Sequence, residues 1–168
     1  MDVLWRPAYV AIGSNLSTPA LRVLEAFERL TAWSAVASLQ RSQLYRSAPM
    51  GPQDQPQFVN AAAGFLTQLD ARELLAGLLG IEHSMGRDRS TRWGPRIIDL
   101  DLLWLVDAAI DEPGLTVPHP GVSMRNFVLY PLNDIAPALN IPGLGNVQSL
   151  LQGVGADGIS VLESKGLA

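Results

Sequence analysis

The stretch RWGPRIIDLDLLWL (residues 92–105) carries two aspartates, Asp99 and Asp101, one residue apart at the start of an apolar run. The run has the length and composition of a buried strand, which we predict over residues 98–106. Side chains at i and i+2 share one face of a strand, so the two carboxylates project together, with Cα atoms about 6.6 Å apart. Regular alternation continues that face with two leucines, Leu103 and Leu105. The predicted strand therefore places two like charges side by side in an apolar setting.

Positive charge must balance these carboxylates, because removing both from water is costly unless cations neutralise them. One interpretation is a structural ion-pair network with Arg92 and Arg96. The other is a pair of divalent metal ions, since Mg²⁺ commonly binds one or two carboxylates together with substrate phosphates. The spacing alone leaves both open. The nearby guanidinium groups suit phosphate oxygens and favour a phosphoryl-transfer site, whereas the absence of a G-x-x-x-x-G-K-[ST] motif excludes a P-loop.

The rest of the chain alternates strand and helix signals. Further strands are predicted over residues 9–13, 36–45 and 58–69. A first helix is expected to begin with Thr18 as N-cap and Pro19 at N1, and a second with a capping box of Asp70 and Glu73. The order β-α-β-β-α-β is typical of a ferredoxin-like α+β sandwich, here with additional C-terminal elements. Both helices would cover one face of the sheet and leave the other face to ligands.

Composition limits the classes of protein to consider. The 168 residues, 48% hydrophobic and 17% charged, fit a single domain over residues 1–168. The lack of cysteine excludes disulfides, thiolate metal sites and a cysteine nucleophile, and the net charge of −4 argues against nucleic-acid binding through a broad basic surface. The N-terminal segment does not resemble a signal peptide, and the longest uncharged run is a poor membrane span. We therefore expect a cytoplasmic protein.

Four ordered segments carry a resemblance to a known family: YVAIGSNL, YRSAPMGPQDQPQFVNAAA, RWGPRIIDLDLL and LTVPHPGVSMRNFVLYPL. Together they closely resemble the 6-hydroxymethyl-7,8-dihydropterin pyrophosphokinase family of the folate pathway. The resemblance covers about residues 8–139 and leaves 140–168 as a C-terminal extension. It implies a ferredoxin-like sandwich, in-line transfer of pyrophosphate from ATP to a pterin alcohol with release of AMP, two Mg²⁺ ions and a monomeric protein.

The resemblance also implies roles for individual residues. Asp99 and Asp101 match the family's two bridging metal ligands, and Arg87 and Arg96 join them as catalytic residues. The positions matching ATP contacts are Glu82, Arg89, Arg92, Trp93, Arg96, Leu102, Thr116, His119 and Arg125. The positions matching the pterin pocket are Ser47, Ala48, Pro49, Met50, Phe58, Asn60 and Phe127. The segment between Arg87 and Trp93 is one residue shorter than in familiar members, which leaves open whether Arg89 or Arg92 contacts phosphate.

The residues matched to the pterin pocket also have a physical interpretation, and several of the matched residues could instead have a purely structural role. An asparagine amide such as that of Asn60 offers a donor and an acceptor in one plane, which suits the edge of a flat pterin, and aromatic faces stack on its rings. Phe58 and Phe127 could instead be ordinary core residues. His119, between two prolines, could merely order its loop, and Glu82 alone would be taken for an exposed glutamate at a helix end. We interpret the segment GSNLS mainly as the turn into the first helix.

Two other classes of function use similar parts. A nucleotidyl transferase can mount an Asp-x-Asp metal pair on a sheet, but it releases pyrophosphate rather than AMP, and the sequence has no basic track for a nucleic-acid primer. A non-enzymatic ferredoxin-like binding module would not depend on the two aspartates. RNA binding of the RRM type is disfavoured, because no basic and aromatic RNP-like run is present.

Overall fold

The structure, a computed structural model, describes residues 2–87 and 95–163. The described strands are β1 (Arg6–Ser14), β2 (Ala37–Arg41), β3 (Tyr45–Ser47), β4 (Phe58–Thr67), β5 (Asp99–Leu105), β6 (Ile110–Glu112), β7 (Leu115–Val117), β8 (Asn140–Ile141), β9 (Gly145–Asn146) and β10 (Ile159–Val161). The described helices are α1 (Pro19–Ala32), α2 (Ala71–Ser84), α3 (Asn126–Ile135) and α4 (Val147–Val154), with a 3₁₀ turn at Val122–Met124. Strands and helices alternate through most of the chain, and the protein is a mixed α/β fold.

A six-stranded antiparallel sheet organises these elements, with strands in the order β10-β3-β4-β1-β5 and β2 also paired to β4. The strands predicted over residues 9–13, 58–69 and 98–106 are confirmed as β1, β4 and β5. The pairs β6-β7 and β8-β9 form two small separate sheets. Because β1 and β4 occupy the middle of the large sheet, the longest strands have partners on both sides.

The single strand predicted over residues 36–45 is wrong: the structure has two short strands, β2 and β3, paired with successive parts of β4. Between them, the Ser42 N–H donates to the Ala62 carbonyl at 3.0 Å, and the Ser42 hydroxyl accepts from the Ala62 N–H at 2.8 Å. The hydroxyl takes the place of a backbone acceptor, so the strand breaks without leaving a buried donor unpaired.

A β-bulge interrupts the pairing of β5 with β1. Tyr9 lies opposite Trp104 and Val10 opposite Leu102, so Leu103 is an extra residue without a partner on β1. Directly opposed residues share a face, and Trp104 therefore joins the face of the aspartates, whereas Leu105, opposite Ala8, turns to the other face. The predicted placement of Leu105 beside the aspartates is wrong, because the bulge shifts the alternation by one residue.

Helices α1 and α2 lie together on one face of the sheet. Trp33, directly after α1, packs so closely on Gly77 of α2 that a Cβ there would lie 2.1 Å from the indole ring. The residues of β1 that point to this side, at most 1% exposed, are Ala8, Val10 and Ile12. Helix α3 lies on the opposite face, where Ile135 approaches Gly64. The face expected to be free for ligands is thus partly covered by α3, and only its remainder is open.

The two predicted helix starts have different outcomes. The capping box of α2 is confirmed: the Asp70 carboxylate accepts from the Glu73 N–H, and the Glu73 carboxylate accepts from the Asp70 N–H, both at 2.9 Å. Pro19 is the first residue of α1, as predicted. Thr18 precedes it but has a positive φ of 60° and makes no side-chain cap bond. Thr18 is therefore the N-cap residue, as predicted, but its hydroxyl donates to the neighbouring Ser17 carbonyl and not to the helix, so the expected side-chain cap is not formed.

The C-terminal extension completes one edge of the sheet. Strand β10 pairs antiparallel with β3, and the Leu162 N–H donates to the Leu44 carbonyl at 2.8 Å. The Ala48 N–H, just after β3, donates to the Gly158 carbonyl at 3.3 Å. The sequence pattern in this region is weak because its strands are only two or three residues long.

The described helices are all too short or too polar to cross a bilayer.

Two glycines of α2 provide a matched test of the contact between α1 and α2. Gly77 faces Trp33, whereas a Cβ on Gly80 would meet nothing within 4 Å. Gly80→Ala should stabilise the protein by about 0.5–1 kcal/mol through helix propensity. Gly77→Ala gains the same propensity but forces Trp33 to move, and should destabilise by about 1–3 kcal/mol. Urea unfolding of both variants measures the difference, and equal stabilities would contradict the close packing.

Candidate active site

An open cleft of about 230 Å³ occupies the part of the sheet face that α3 leaves uncovered. Its lining comes from β1, β4, β5, the loop after β3, the loop after β7 and the start of α3. The lining residues are Ala11, Ile12, Gly13, Ser47, Ala48, Met50, Gly51, Phe58, Asn60, Arg96, Asp99, Asp101, His119, Arg125, Phe127 and Val128. The cleft thus brings together most of the residues singled out in the sequence, from segments up to 80 positions apart (Ser47 and Phe127).

The floor of the cleft is open because β1 contributes small side chains there. Ala11 lies opposite Asp101 and Gly13 opposite Asp99. A Cβ on Gly13 would lie 3.2 Å from the Asn60 side-chain oxygen, so a larger residue would fill the space between the acidic pair and the asparagine. Sequence reasoning missed this role, although a small-residue alternation in β1 was visible.

Asp99 is held between two arginines. Arg87 Nη1 lies 3.1 Å from one carboxylate oxygen and Arg96 Nη1 lies 2.7 Å from the other. Arg87 is 5% exposed and also donates to the Ile98 carbonyl at 2.6 Å, which fixes its guanidinium below the strand end. The predicted ion pair with Arg96 is thus confirmed, and the second arginine that pairs with Asp99 is Arg87. Arg92, together with Arg89 and Trp93, lies outside the described residues.

Asp101 has a different environment from Asp99. Its pKa is raised from 3.8 to about 7, mainly by burial and then by the nearby charges of Asp99 and Glu82, while Arg96 and Arg125 oppose the rise. Within the described part of the chain, its carboxylate accepts no hydrogen bond and forms no ion pair. Asp101 is therefore the carboxylate that a bound cation would stabilise most.

The donor set suits a divalent cation that shares its ligands with a phosphate substrate. Asp99 and Asp101 supply hard oxygen ligands on one face of a rigid strand. In the described ranges no group of three or more His, Asp or Glu side chains surrounds a metal position. Phosphate oxygens of a substrate and water would suit the remaining positions around a cation on the acidic pair. Mg²⁺ sites in phosphoryl-transfer proteins commonly have this composition.

Glu82 lies beneath the strand rather than in the cleft. Its side chain is 1% exposed, accepts from the Leu100 N–H at 2.8 Å and lies 3.9 Å from Arg87 Nη1. The alternative of an exposed helix-end glutamate is wrong, because the end of α2 packs against β5. Glu82 supports the buried arginine that holds Asp99, and its predicted contact with ATP remains a prediction.

His119 and Arg125 form the basic end of the cleft. The His119 main-chain N–H donates to the carbonyl of the bulged Leu103 at 2.7 Å, and its Nδ1 accepts from the Gly121 N–H at 3.0 Å. Burial, and then the charge of Arg125, lower the pKa of His119. The ring is therefore neutral at neutral pH, with its proton on Nε2 as a donor. His119 is more than a loop-ordering residue, since it lines the cleft.

Besides Glu82, two predicted ATP positions among the described residues do not line this cleft. Thr116 lies exposed on β7, and Leu102 is 5% exposed with its side chain on the core face, opposite Val10. A side-chain contact from Leu102 would require ligand to enter the core. Any contact of Leu102 with ATP would have to be made by its main chain, and both positions remain predictions.

The other end of the cleft combines an amide with aromatic rings. Asn60 is 6% exposed, and its Nδ2 donates to the Ser47 hydroxyl at 2.6 Å, which fixes the plane of the amide. Phe58 and Phe127 are half-buried and line the cleft. Phe127 also packs on the hydrophobic core, so it is both a core residue and a residue of the cleft. Of the remaining predicted pterin positions, Ser47, Ala48 and Met50 line the cleft, whereas Pro49 does not.

Asn15 is a structural residue of the site that sequence reasoning missed. It is 1% exposed; its side-chain oxygen accepts from the Arg96 N–H at 2.7 Å, and its Nδ2 donates to the Gln55 side chain and the Pro56 carbonyl, both at 3.0 Å. The GSNLS segment does lead into α1, but its asparagine also joins the loops on both sides of the cleft. The only sequence signal for this structural role was an asparagine directly after an apolar strand, where an amide that becomes buried needs hydrogen-bond partners.

Comparisons with known proteins agree with this arrangement. The sequence matches the family described as 7,8-dihydro-6-hydroxymethylpterin-pyrophosphokinase (HPPK) over residues 9–137. It is 46% identical over 157 residues to the 2-amino-4-hydroxy-6-hydroxymethyldihydropteridine pyrophosphokinase of Pseudomonas aeruginosa, covering 92% of this chain and 95% of that protein. The enzyme of the same name from Bacillus subtilis is 41% identical over 128 residues, 76% of this chain and 77% of the relative.

Solved structures give the same fold at much lower identity. The crystal structure of wild-type Plasmodium falciparum HPPK-DHPS with pteroate superposes with a TM-score of 0.71 at 15% identity, covering 91% of this chain and 43% of that one. That likeness concerns the fold alone. The sequence match over residues 9–137 and the identity to full-length relatives place the chain in the 7,8-dihydro-6-hydroxymethylpterin-pyrophosphokinase family.

Proposed function

We propose that this cleft transfers pyrophosphate from ATP to 6-hydroxymethyl-7,8-dihydropterin. The observation that carries the proposal is a single cleft in which the acidic pair of β5 and a fixed amide of β4 lie on the two sides of Gly13, with basic residues and two aromatic rings also in the lining. The pterin hydroxymethyl oxygen attacks the β-phosphorus of ATP and forms a new O–P bond. The bond from that phosphorus to the oxygen bridging to the α-phosphate breaks, AMP leaves, and the hydroxyl loses its proton.

The acidic end of the cleft binds the triphosphate. Asp99 and Asp101 would hold the magnesium, two ions according to the family resemblance, and a metal bound there would supply positive charge against the phosphate oxygens and the attacking hydroxyl. Arg96, which lines the cleft beside Asp99, is placed to contact phosphate oxygens, and Arg87 keeps Asp99 in position from below. Positioning and electrostatics then supply most of the rate acceleration.

His119 and Arg125 complete the phosphate end. The Nε2–H of a neutral His119 donates one hydrogen bond, and the Arg125 guanidinium supplies positive charge and further donors. Both line the cleft, and Arg125 directly precedes α3. A triphosphate lying along Asp99 and Asp101 would therefore meet acidic metal ligands on one side and donors on the other.

The opposite end binds the pterin. Because Ser47 fixes the Asn60 amide, the amide presents one orientation to the donor and acceptor edge of the ring system. Phe58 and Phe127 supply apolar faces for stacking. Ala48 and Met50 close the pocket from the loop after β3, and the 54% exposed Met50 leaves that side accessible.

The finer description of the fold belongs to the same proposal. Taking β2 and β3 as one interrupted strand, the sheet order with α1 and α2 on one face supports a ferredoxin-like sandwich. The participation of strands from residue 6 to residue 161 in one sheet supports a single domain. We further propose that the protein is a cytoplasmic monomer, in keeping with its small-molecule substrates.

Product analysis tests the reaction directly. With ATP, Mg²⁺ and 6-hydroxymethyl-7,8-dihydropterin, the protein should form AMP and the pterin diphosphate in equal amounts, and no AMP should form when the pterin is omitted. Chromatography of the nucleotides measures this. Release of ADP or of free pyrophosphate, or no turnover by folded protein, would refute the proposal, and pyrophosphate would favour a nucleotidyl transferase.

Substitution of the acidic pair tests the metal ligands. Asp99→Ala and Asp101→Ala should each lower kcat at least about 100-fold, because loss of metal stabilisation removes several kcal/mol from the transition state. Asp2→Asn, at an exposed position near the opposite end of β1, is the control and should leave kcat unchanged. Near-normal turnover of folded Asp101→Ala protein would exclude the metal-binding role.

The environment of Asp101 predicts an unusual pH dependence of stability. Its pKa is about 7 in the folded protein and 3.8 as an ordinary aspartate, so between these values the folded state binds more protons than the unfolded state. Without divalent cations, this residue's contribution should therefore fall as the pH rises from about 4 to about 7, by up to about 1.4 kcal/mol per pH unit.

Denaturant unfolding at several pH values, with and without Mg²⁺, measures this contribution. Asp101→Asn should remove it and be more stable than the wild type at pH 8, and Mg²⁺ should stabilise the wild type more than the variant. Identical pH profiles for the two proteins would show that Asp101 does not carry the effect.

A further inference from the structure

Gly121 lies between the two basic residues of the cleft, in the loop that leads from β7 to the 3₁₀ turn. Its backbone angles, φ −84° and ψ −6°, are ordinary for any amino acid. The conformation of the chain therefore does not require glycine at this position. The reason for a residue without a side chain must lie in what surrounds it.

The guanidinium of Arg125 rests directly on the Cα of Gly121. A Cβ at this position would lie 2.7 Å from both Cζ and Nε of Arg125 and 3.1 Å from its Nη2. Carbon atoms do not approach other heavy atoms this closely, so any side chain here would displace the guanidinium. The glycine thus makes room for one particular position of the Arg125 side chain.

The main chain of the same residue contacts the other basic group. The Gly121 N–H donates to Nδ1 of His119 at 3.0 Å, so Nδ1 is an acceptor and Nε2 carries the proton of the neutral ring. Both His119 and Arg125 line the cleft. One residue with no functional group of its own therefore touches both donors at this end of the site.

We propose that Gly121 is a positioning residue for phosphate recognition: its N–H selects the donor tautomer of His119, and its bare Cα seats the Arg125 guanidinium at the edge of the cleft. This inference rests on the proposed function only in taking the bound phosphate to be that of ATP. The effect of Gly121 on catalysis passes through Arg125 and His119, since nothing in its own structure can bind or transfer a group.

Steady-state kinetics of Gly121→Ala test the seat of Arg125. Displacing one charged hydrogen-bond donor should raise the KM for ATP about tenfold or more, while the KM for the pterin, bound at the other end of the cleft, should stay within about twofold. Gly153→Ala adds the same methyl group to α4, where nothing lies within 4 Å, and should change neither constant. An unchanged KM for ATP in Gly121→Ala would overturn the proposal.

A double-mutant cycle separates positioning from general damage to the fold. Arg125→Ala should raise the KM for ATP by at least as much as Gly121→Ala does. Adding Gly121→Ala to Arg125→Ala should have no further effect, because the side chain that clashes is already gone. The double variant should also recover any stability that Gly121→Ala loses. Additive effects on KM would show that Gly121 does not act through Arg125, and would overturn the proposal.

Imidazole NMR of the ligand-free protein gives a measurement that does not depend on turnover. In the wild type, Nδ1 of His119 should be unprotonated in the neutral ring, and His119 should titrate at a higher pH in Gly121→Ala, because the charge of Arg125 lowers its pKa in the wild type. His83, exposed on α2, is the internal control. The opposite tautomer, or an identical titration of His119 in both proteins, would overturn the proposal even if the pyrophosphokinase reaction were confirmed.

Discussion

The two carboxylates on one face of β5 are the constraint around which the site is arranged. Asp99 is neutralised within the chain by Arg87 and Arg96, at 3.1 and 2.7 Å. Asp101, two residues along the same strand, has a pKa raised to about 7 and so holds its proton much more tightly than an ordinary aspartate. The protein thus balances one of two neighbouring charges itself and leaves the other dependent on what enters the cleft. Such an arrangement couples binding of a cation to the stability of the strand that carries it.

The supports of this strand come from three directions. Below the sheet, Glu82 receives the Leu100 N–H and lies near Arg87. At the start of the strand, Asn15 holds the Arg96 main chain. Farther along, the bulge at Leu103 directs a carbonyl to the His119 N–H, which joins the histidine loop to the sheet. These contacts fix the acidic pair relative to the basic end of the cleft, where an error of about 1 Å would be costly for positioning a phosphate.

Much of the fold could be predicted from sequence because its signals are local. The capping box at Asp70 and the apolar runs of β1, β4 and β5 depend on residues close in the chain, and the structure has them where the pattern placed them. The acidic pair was also visible, since strand alternation fixes the relation of Asp99 to Asp101. The break between β2 and β3 and the bulge at Leu103 depend instead on which residues of a distant strand lie opposite, and a single strand's pattern does not contain that register.

The residues of the candidate site also differ in whether a local sequence signal could reveal them. Most of the residues that line its cleft were found because they lie in segments similar to a known family, whereas Asn15 and Gly121 make contacts that only the folded chain creates. From sequence alone Glu82 would be taken as exposed, because a charged residue at a helix end is usually solvated. It is buried because the end of α2 packs against β5.

The pairing of β10 with β3 has a consequence for how the protein is made. The loop of Ala48, which walls the cleft, is bonded to the Gly158 carbonyl, and the Asn126 side chain at the start of α3 donates to the Asp157 carbonyl at 2.9 Å. A nascent chain that has emerged through Val128 holds every residue that lines the cleft, yet neither wall has its C-terminal support. Because a ribosome delivers about 5–20 residues per second, this incomplete state lasts for seconds during each round of synthesis. The cleft therefore acquires its final shape only after residues 157–161 have emerged, although every residue that lines it is translated earlier.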